Sequence, residues 1–354
     1  KRGRGRCGAA VLDTSTRIRG MSGKTKIALP AGDPAGIGPE ICLKAVLDPA
    51  VRAACDPIVV SDPGVIERHA KACGIGVDLH VVARVADADW SGDRLNVLAC
   101  AQPETASLDF GVVSPVSGRA SIAFCRAAIK AALAGEVDAV VAAPQHETSI
   151  AQAGIAFDGH PSFVARETGT NEDDVTMMLC FGNMKIAHCT LHRSVKDAVA
   201  LITRERVARV LRVTARTLRS LGIAAPRIGV SGLNPHAGEG GLFGREEIEI
   251  IRPAIETVVA EGLNVAGPFG ADTMFHMPGY DAFVVMLHDQ GHIAAKLLAQ
   301  NAAAALSIGS PILFSSVAHG TGHDIAGKGV ADPAAMIEAV LRMAKAKRLT
   351  PPSS

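Results

Sequence analysis

The sequence predicts an α/β fold in which a mostly parallel sheet is flanked by helices. Short apolar runs of buried-strand character alternate with longer helical stretches, and the polar and glycine-rich segments fall where strands end. In order, KIALPAG (26–32) reads as a strand, followed by a Gly/Pro turn and a helix from about Pro39. PIVVSD (57–62) and LHVV (79–82) are further strands with a helix between them. SIAFCRAAIKAALAG (121–135) is an Ala-rich helix stopped by Gly135, and EVDAVVAAP (136–144) is a buried strand. VTMMLC (175–180) and KIAHCT (185–190), separated by a short turn, predict a hairpin. A long helix fills 203–221. RIGVSGL (227–233), NVAGP (264–268) and DAFVVML (281–287) are strands, with a helix at 244–261, and a final helix spans about 333–346. There is no internal repeat and no low-complexity linker.

Composition excludes several function classes. The 354 residues suffice for two domains or one large α/β unit, and 48% are apolar, enough for a large core. A net charge of +1 gives no field for nucleic acid or an anionic membrane, and 3% aromatics leave few stacking platforms for single strands. No apolar stretch has the length of a membrane span. The eight cysteines form no CxxC pair and read as reduced, buried residues of a cytoplasmic protein; Cys180 and Cys189 flank a turn. Residues 1–25 are rich in Arg, Gly, Ser and Thr and lack the apolar segment of a secretory signal, so they read as a disordered leader with Met21 as the natural start. Residues 347–354 read as a tail.

Three histidines sit where apolar runs give way to loops: His192 closes KIAHCTLH, His236 lies in GLNPHAGEGG, and His288 lies in VVMLHDQG. Imidazole is the commonest neutral metal ligand, and three of them leave a position open for substrate. Spacings of 44 and 52 residues are too long for a local finger, so only the fold can bring them together. A lone histidine at a strand end is more often a hydrogen-bonded core or loop residue. The crowd of Asn234, Pro235, Gly238, Glu239, Gly240 and Gly241 around His236, and Asp289, Gln290 and Gly291 after His288, favours a site. The first turn, GDPAGIGPE (32–40), reads equally as a phosphate-binding loop or a structural turn. HGTGHDIAGKGVADP (319–333) has the glycines and polar groups of a nucleotide lid. The arginines of 204–219 fall largely on one helix face, a solvated or subunit-facing surface rather than a phosphate site.

GDPAGIGPE, VAAPQHE, FDGHPSF, GLNPHAGEGG, GADTMF, HDQG and HGTGHDIAGKG occur in the order seen in the 4-hydroxythreonine-4-phosphate dehydrogenase family, and the chain resembles that family from about Lys26 to Lys345. The first and last motifs also resemble the wider isocitrate/isopropylmalate dehydrogenase superfamily. The resemblance implies a two-domain α/β/α subunit: 26–142 with 292–346 on the nucleotide side, and 143–291 for substrate, metal and dimerisation. It also implies a homodimer with the site between subunits, NAD or NADP as cofactor, with Gly320, Thr321, Asp324 and Gly327 as its contacts, and a divalent metal held by His192, His236 and His288. Zinc is favoured by the imidazoles; manganese, magnesium or cobalt are alternatives.

Substrate positions carry over in part. His160, Asp272, Asp289 and Lys296 match family contacts, but Pro161 replaces a threonine, Ala305 stands where an asparagine is expected and Phe314 where an arginine is expected. Losing an amide and a guanidinium removes much of the means to hold phosphate. HETSIAQAGIAF, NEDDV, TLH, LHDQGHIAAKLL, ALSIG and SSVAHG resemble the terephthalate 1,2-cis-dihydrodiol dehydrogenase branch. That branch implies oxidation and decarboxylation of 1,2-dihydroxy-3,5-cyclohexadiene-1,4-dicarboxylate to protocatechuate and CO₂. Lys296 is the candidate proton-transfer group, on the reasoning that a buried lysine shifts its pKa readily. Asp272 and Asp289 would orient ligands or the lysine, and Phe314 would face the ring. His146, His292 and His323 are weaker site candidates; His69, His80, His188 and His276 read as surface or packing residues. The alternatives are a phospho-hydroxyacid dehydrogenase and, in another class, a three-histidine zinc hydrolase that needs no nicotinamide.

Overall fold

The computed structural model describes residues 23–92, 94–299 and 303–346. Most of the expected leader and the whole tail lie outside the described residues; Thr25, placed in the leader by sequence, opens the first strand. The strands are β1 (Thr25–Pro30), β2 (Cys55–Ser61), β3 (Leu79–Val82), β4 (Leu95–Ala99), β5 (Ala139–Ala142) and β6 (Thr176–Phe181). They continue with β7 (Met184–His188), β8 (Arg227–Ser231), β9 (Asn264–Phe269), β10 (Ala282–Val285), β11 (Ala304–Ile308) and β12 (Leu313–Val317). All twelve join one sheet in the order β3-β4-β2-β1-β5-β12-β11-β6-β7-β10-β8-β9. Neighbours are parallel except in the middle, where β12–β11, β11–β6 and β6–β7 are antiparallel. The fold is the α/β class expected. Residues 143–291 supply β6 to β10, and the rest supply the other seven, so each set is contiguous in the sheet.

The helices are α1 (Gly38–Leu47), α2 (Pro49–Ala54), α3 (Pro63–Ala72), α4 (Pro115–Leu133), α5 (Glu147–Gln152) and α6 (His160–Thr168). After them come α7 (Val195–Leu201), α8 (Arg204–Ser220), α9 (Arg252–Ala260), α10 (His288–Ala299) and α11 (Ala334–Ala344). Strand residues alternate between two buried faces, as a sheet covered on both sides requires. Ile27 and Leu29 pack with Ile41 of α1 and Met336 of α11, while Ala28 packs with Ile122 and Ile129 of α4.

Two helices start elsewhere than expected. α4 begins at Pro115, not 121, because Ser114 Oγ accepts the Ser117 N–H at 3.1 Å and proline occupies the first turn, where no N–H is needed. The helix expected over 244–261 opens instead with a wide π turn at Glu247–Ile251, next to Pro253, which lacks the N–H that would continue the ladder. The arginine face of α8 is less solvated than expected. Arg206 pairs with Asp173, Arg209 with Asp174, and Arg212 forks onto Glu261 at 2.6 and 2.7 Å, which ties α8 to its neighbours. The described cysteines are free. Burial pushes the thiols of Cys55, Cys125 and Cys189 up to about 12, so these are apolar packing groups and not thiolates. Among the described residues no helix is long and apolar enough to cross a membrane.

Candidate active site

A cavity of about 640 Å³ opens between the central strands and α10. α10 contributes His288, His292 and Lys296; the loop after β7 contributes His192; the first turn of α6 contributes His160. Residues 145–148 and 319–321 form another part of the wall, and Ala305 of β11 lines it as well.

The strand-to-helix turn at His288 is anchored by Gln290. Its Oε1 accepts the backbone N–H groups of Met286 and Leu287 at 3.0 and 2.9 Å, and its Nε2 donates to the Gly232 carbonyl at 3.0 Å. One amide therefore locks the start of α10 to the end of β8. His288 Nδ1 lies 2.7 Å from Asp289 Oδ1, and His192 Nδ1 lies 3.2 Å from the Asp158 carbonyl. Oxygens of these kinds only accept, so each Nδ1 carries the proton and each Nε2 keeps its lone pair, the arrangement found in metal-bound histidines. The two rings are 5.7 Å apart, centre to centre.

His236 stands on an unusual turn. Residues 236–240 all have positive φ (51, 51, 79, 44 and 67°), three of them not glycine. A left-handed run of this length costs roughly 1–2 kcal/mol for each non-glycine residue, and it is held by the buried Glu247. One carboxylate oxygen accepts the N–H groups of Leu233 and Asn234, both at 2.7 Å, and the other accepts Asn234 Nδ2 at 3.0 Å. A Cβ at Gly238 would meet Glu247 Oε2 at 2.6 Å, so a side chain there would displace that carboxylate. The His236 ring is 64% exposed, its Nδ1 3.4 Å from Glu239.

A single chain therefore unites two of the three expected metal ligands. His236 is not among the cavity's lining residues, and among the described residues no three His, Cys, Asp or Glu side chains form a ligand set. The donor chemistry nevertheless fits: all three imidazoles face an oxygen through Nδ1.

His160 Nε2 is buried without a partner, and burial pushes this imidazole down to about 4, so it is neutral. Phe314, expected to touch substrate, does not line the cavity; it is buried behind His160, the rings 5.4 Å apart. Lys296 lines the cavity but is exposed, so the burial on which its expected proton-transfer role rested is not found. Asp289 is 78% exposed and orients His288, and Asp272 is exposed and outside the cavity wall. Of the expected cofactor contacts, Gly320 and Thr321 line the cavity, Asp324 is exposed elsewhere, and Gly327 is a packing residue whose Cβ would strike Phe110 at 2.6 Å. The first turn is structural, not an open phosphate loop. Cβ atoms at Gly32, Gly36 and Gly38 would meet the backbone carbonyls of Pro144, Thr321 and Ala31 at 2.3, 2.7 and 2.1 Å.

Other residues gain importance. His292 stacks on His288 at 3.7 Å, and the fully buried His188 lies beneath it at 4.7 Å, admitted only because residue 291 is glycine. His188 is thus the packing residue expected, but placed directly under the site. Asp33, unremarked in the sequence, holds His323, which stacks on His146. A contact across 290 positions has no local signal.

A family model described as pyridoxal phosphate biosynthetic protein PdxA matches residues 53–344. The 1,2-dihydroxy-3,5-cyclohexadiene-1,4-dicarboxylate dehydrogenase of Comamonas sp. is 42% identical over 315 residues, 89% of this chain and 96% of that protein. Among solved structures, a terephthalate 1,2-cis-dihydrodiol dehydrogenase from Burkholderia xenovorans LB400 is 41% identical with a TM-score of 0.68, covering 92% of this chain and 99% of that one. A 4-hydroxythreonine-4-phosphate dehydrogenase from Burkholderia phymatum is 35% identical with a TM-score of 0.81, covering 92% and 99%.

Proposed function

The chain belongs to the PdxA family of dehydrogenases, and from that premise we propose that it oxidises and decarboxylates a terephthalate-type cis-dihydrodiol to protocatechuate, with NAD as hydride acceptor. The composition of the cavity carries this reading. Among the described residues its wall contains one lysine, Lys296, and no arginine, while Phe157, Met177, Leu179, Ala299, Ala303 and Ala305 make an apolar surface. A phosphate dianion favours forked guanidinium donors, whereas a carbocyclic ring favours such an apolar wall. The relatedness to dihydrodiol dehydrogenases supports the same substrate class.

Lys296 Nζ would pair with a substrate carboxylate and exchange the proton of the reacting hydroxyl. His160, neutral and with an unpartnered Nε2, would hydrogen-bond the second carboxylate or hydroxyl, its ring fixed by Phe157 and Phe314. His192 and His288, with His236 from a second copy, would hold a divalent metal, zinc being favoured by the imidazoles. That ion, when bound, would supply a Lewis acid to the substrate oxygens. Oxidation of the hydroxyl next to the carboxyl-bearing carbon gives a β-keto acid; loss of CO₂ then restores an aromatic ring. The apolar wall serves by excluding water from these charges. Residues 143–291 would carry substrate, metal and dimer contacts, and the remainder the nucleotide.

The homodimer is part of the proposal because exposed apolar residues crowd the two elements that carry the divided ligand set. Leu242 and Phe243 flank the His236 turn, and Ile293, Leu297 and Leu298 stand on α10. The test is incubation of metal-loaded protein with NAD⁺ and the terephthalate cis-dihydrodiol, following NADH absorbance and CO₂, with 4-phosphohydroxythreonine in parallel. Turnover of the diol alone supports the reading. Turnover of the phosphorylated compound alone overturns it and returns the chain to the activity named for its phospho-substrate relatives.

A further inference from the structure

Gln145 joins the cavity wall just after β5 with both ends of its side-chain amide unmet: Oε1 and Nε2 are buried, and neither has a hydrogen-bond partner. The backbone on either side of it is fixed. Before it, the Ala143 N–H donates to the Pro30 carbonyl at 3.0 Å, and the Pro144 carbonyl accepts the Asp33 N–H at 3.0 Å. After it, His146 caps α5, its Nδ1 accepting the Ser149 N–H at 3.2 Å. α5 is in turn pressed against α4 at Gly118, where a Cβ would run into the Ser149 carbonyl. The Cys125 thiol of α4 stands beside the amide; burial pushes it up to about 12, so it stays protonated and is a weak donor at most. Behind the wall, Cys125, Ile150, Phe163 and Phe314 belong to one apolar cluster.

A buried amide without partners costs the fold free energy, and each such group calls for an explanation. The chemistry of the amide says what would satisfy it. Nε2 offers two N–H donors and Oε1 accepts, side by side. A phosphate dianion only accepts, so it would leave Oε1 unmet and facing negative charge. A carbon bearing both a carboxylate and a hydroxyl meets both ends: the carboxylate accepts from Nε2, and the hydroxyl donates to Oε1.

We propose that Gln145 is a specificity residue that holds the hydroxyl and carboxylate borne by one carbon of a cyclic hydroxy acid. In the dihydrodiol that carbon is C1, whose carboxylate leaves as CO₂. A neutral amide places this carboxylate without a cation that would stabilise its charge against departure. The inference rests on the reading that the cavity takes the dihydrodiol.

Steady-state kinetics of the metal-loaded protein test it with Gln145→Met, which keeps the length of the side chain and removes both polar ends. KM for the terephthalate cis-dihydrodiol should rise roughly tenfold to a hundredfold, the worth of a hydrogen bond to a charged group, while KM for NAD⁺ stays within about twofold. The benzoate cis-dihydrodiol lacks the remote carboxylate and keeps C1 intact. As substrate or competitive inhibitor it should be weakened by the same factor. Without ligand the variant should melt no lower than wild type, because Gln145 makes no hydrogen bond that the fold would lose. Gln145→Glu, which puts a negative charge in place of the donor, is the second variant and should raise KM for the diol at least as far at pH 8.

An unchanged KM for the diol would overturn the inference and leave the proposed activity standing. So would a loss confined to NAD⁺, which would give the amide to the nicotinamide carboxamide. A benzoate dihydrodiol indifferent to the substitution would move Gln145 to the remote carboxylate, and a melting temperature that falls with affinity would make it a residue of the fold; either overturns the assignment to C1. A wild-type protein that turns over 4-phosphohydroxythreonine and not the diol removes the proposed activity and this inference with it.

Discussion

At His288 a single carboxylate decides which ring nitrogen is free. Asp289 Oδ1, 2.7 Å from Nδ1, fixes the proton there and leaves the Nε2 lone pair open, as the proposed metal site requires. Removing an orienting partner of this kind typically costs 10–100-fold in metal affinity. Asp289→Ala should show about that loss in a chelator competition, with little change in melting temperature because Asp289 is 78% exposed. A fall in stability equal to the fall in affinity would mean that Asp289 acts on the fold and not on the ring. A second residue-scale consequence concerns pH. His160 is pushed down to about 4 against an ordinary value near 6.5. Below 6.5 the unfolded chain takes up a proton that the folded chain refuses, so folding free energy is full above pH 6.5 and drains as pH falls toward 4. Between pH 7 and 5 this one group accounts for about 2 kcal/mol. Urea unfolding of His160→Phe should lose that much of the pH dependence, and an unchanged slope would show that His160 is not held neutral by burial.

At the scale of elements, the turn at 235–241 joins strain to function. Glu247→Ala leaves the part-buried backbone N–H groups of Leu233 and Asn234 without their acceptor, while Asn234 Nδ2 keeps Glu246, and should destabilise the chain by roughly 2 kcal/mol in urea unfolding. Ala237→Gly removes one side chain from left-handed backbone and should stabilise it by about 1 kcal/mol. If both substitutions were neutral, the turn would not be held as described. The sequence GLNPHAGEGG announces a tight turn by its composition. Its handedness is set by Glu247, which lies beyond the motif, and was therefore not legible. The same distinction explains β11 and β12. AALSI and LFSSV are short, contain serines and have weak alternation, and became strands because β5 and β6 flank them. The long, strongly periodic α8 and the hairpin β6–β7 were legible because their signals are local.

At the scale of the whole molecule, the sheet order keeps residues 143–291 together, so the chain reads as two contiguous halves joined at β11–β6. His192 and His288 line the cavity, whereas His236 is exposed beside Leu242 and Phe243, so the proposed ligand set is divided. The sequence marks all three histidines because each follows a strand. It does not say whether one chain can gather them. A two-fold dimer in which each His236 completes the other copy's site makes a strong prediction. His236→Ala and His288→Ala should each abolish metal binding in homodimers. In a hybrid, the His288→Ala chain lends its intact His236 to the His192 and His288 of the His236→Ala chain, which rebuilds one site of two. If subunits exchange at random in an equal mixture, half of the dimers are hybrids, so about a quarter of all sites should recover metal and turnover. Metal content by mass spectrometry and NADH formation should rise together to that level. A mixture that stays as empty as its parents would place all three ligands in one chain, and would require the His236 turn to move into the cavity.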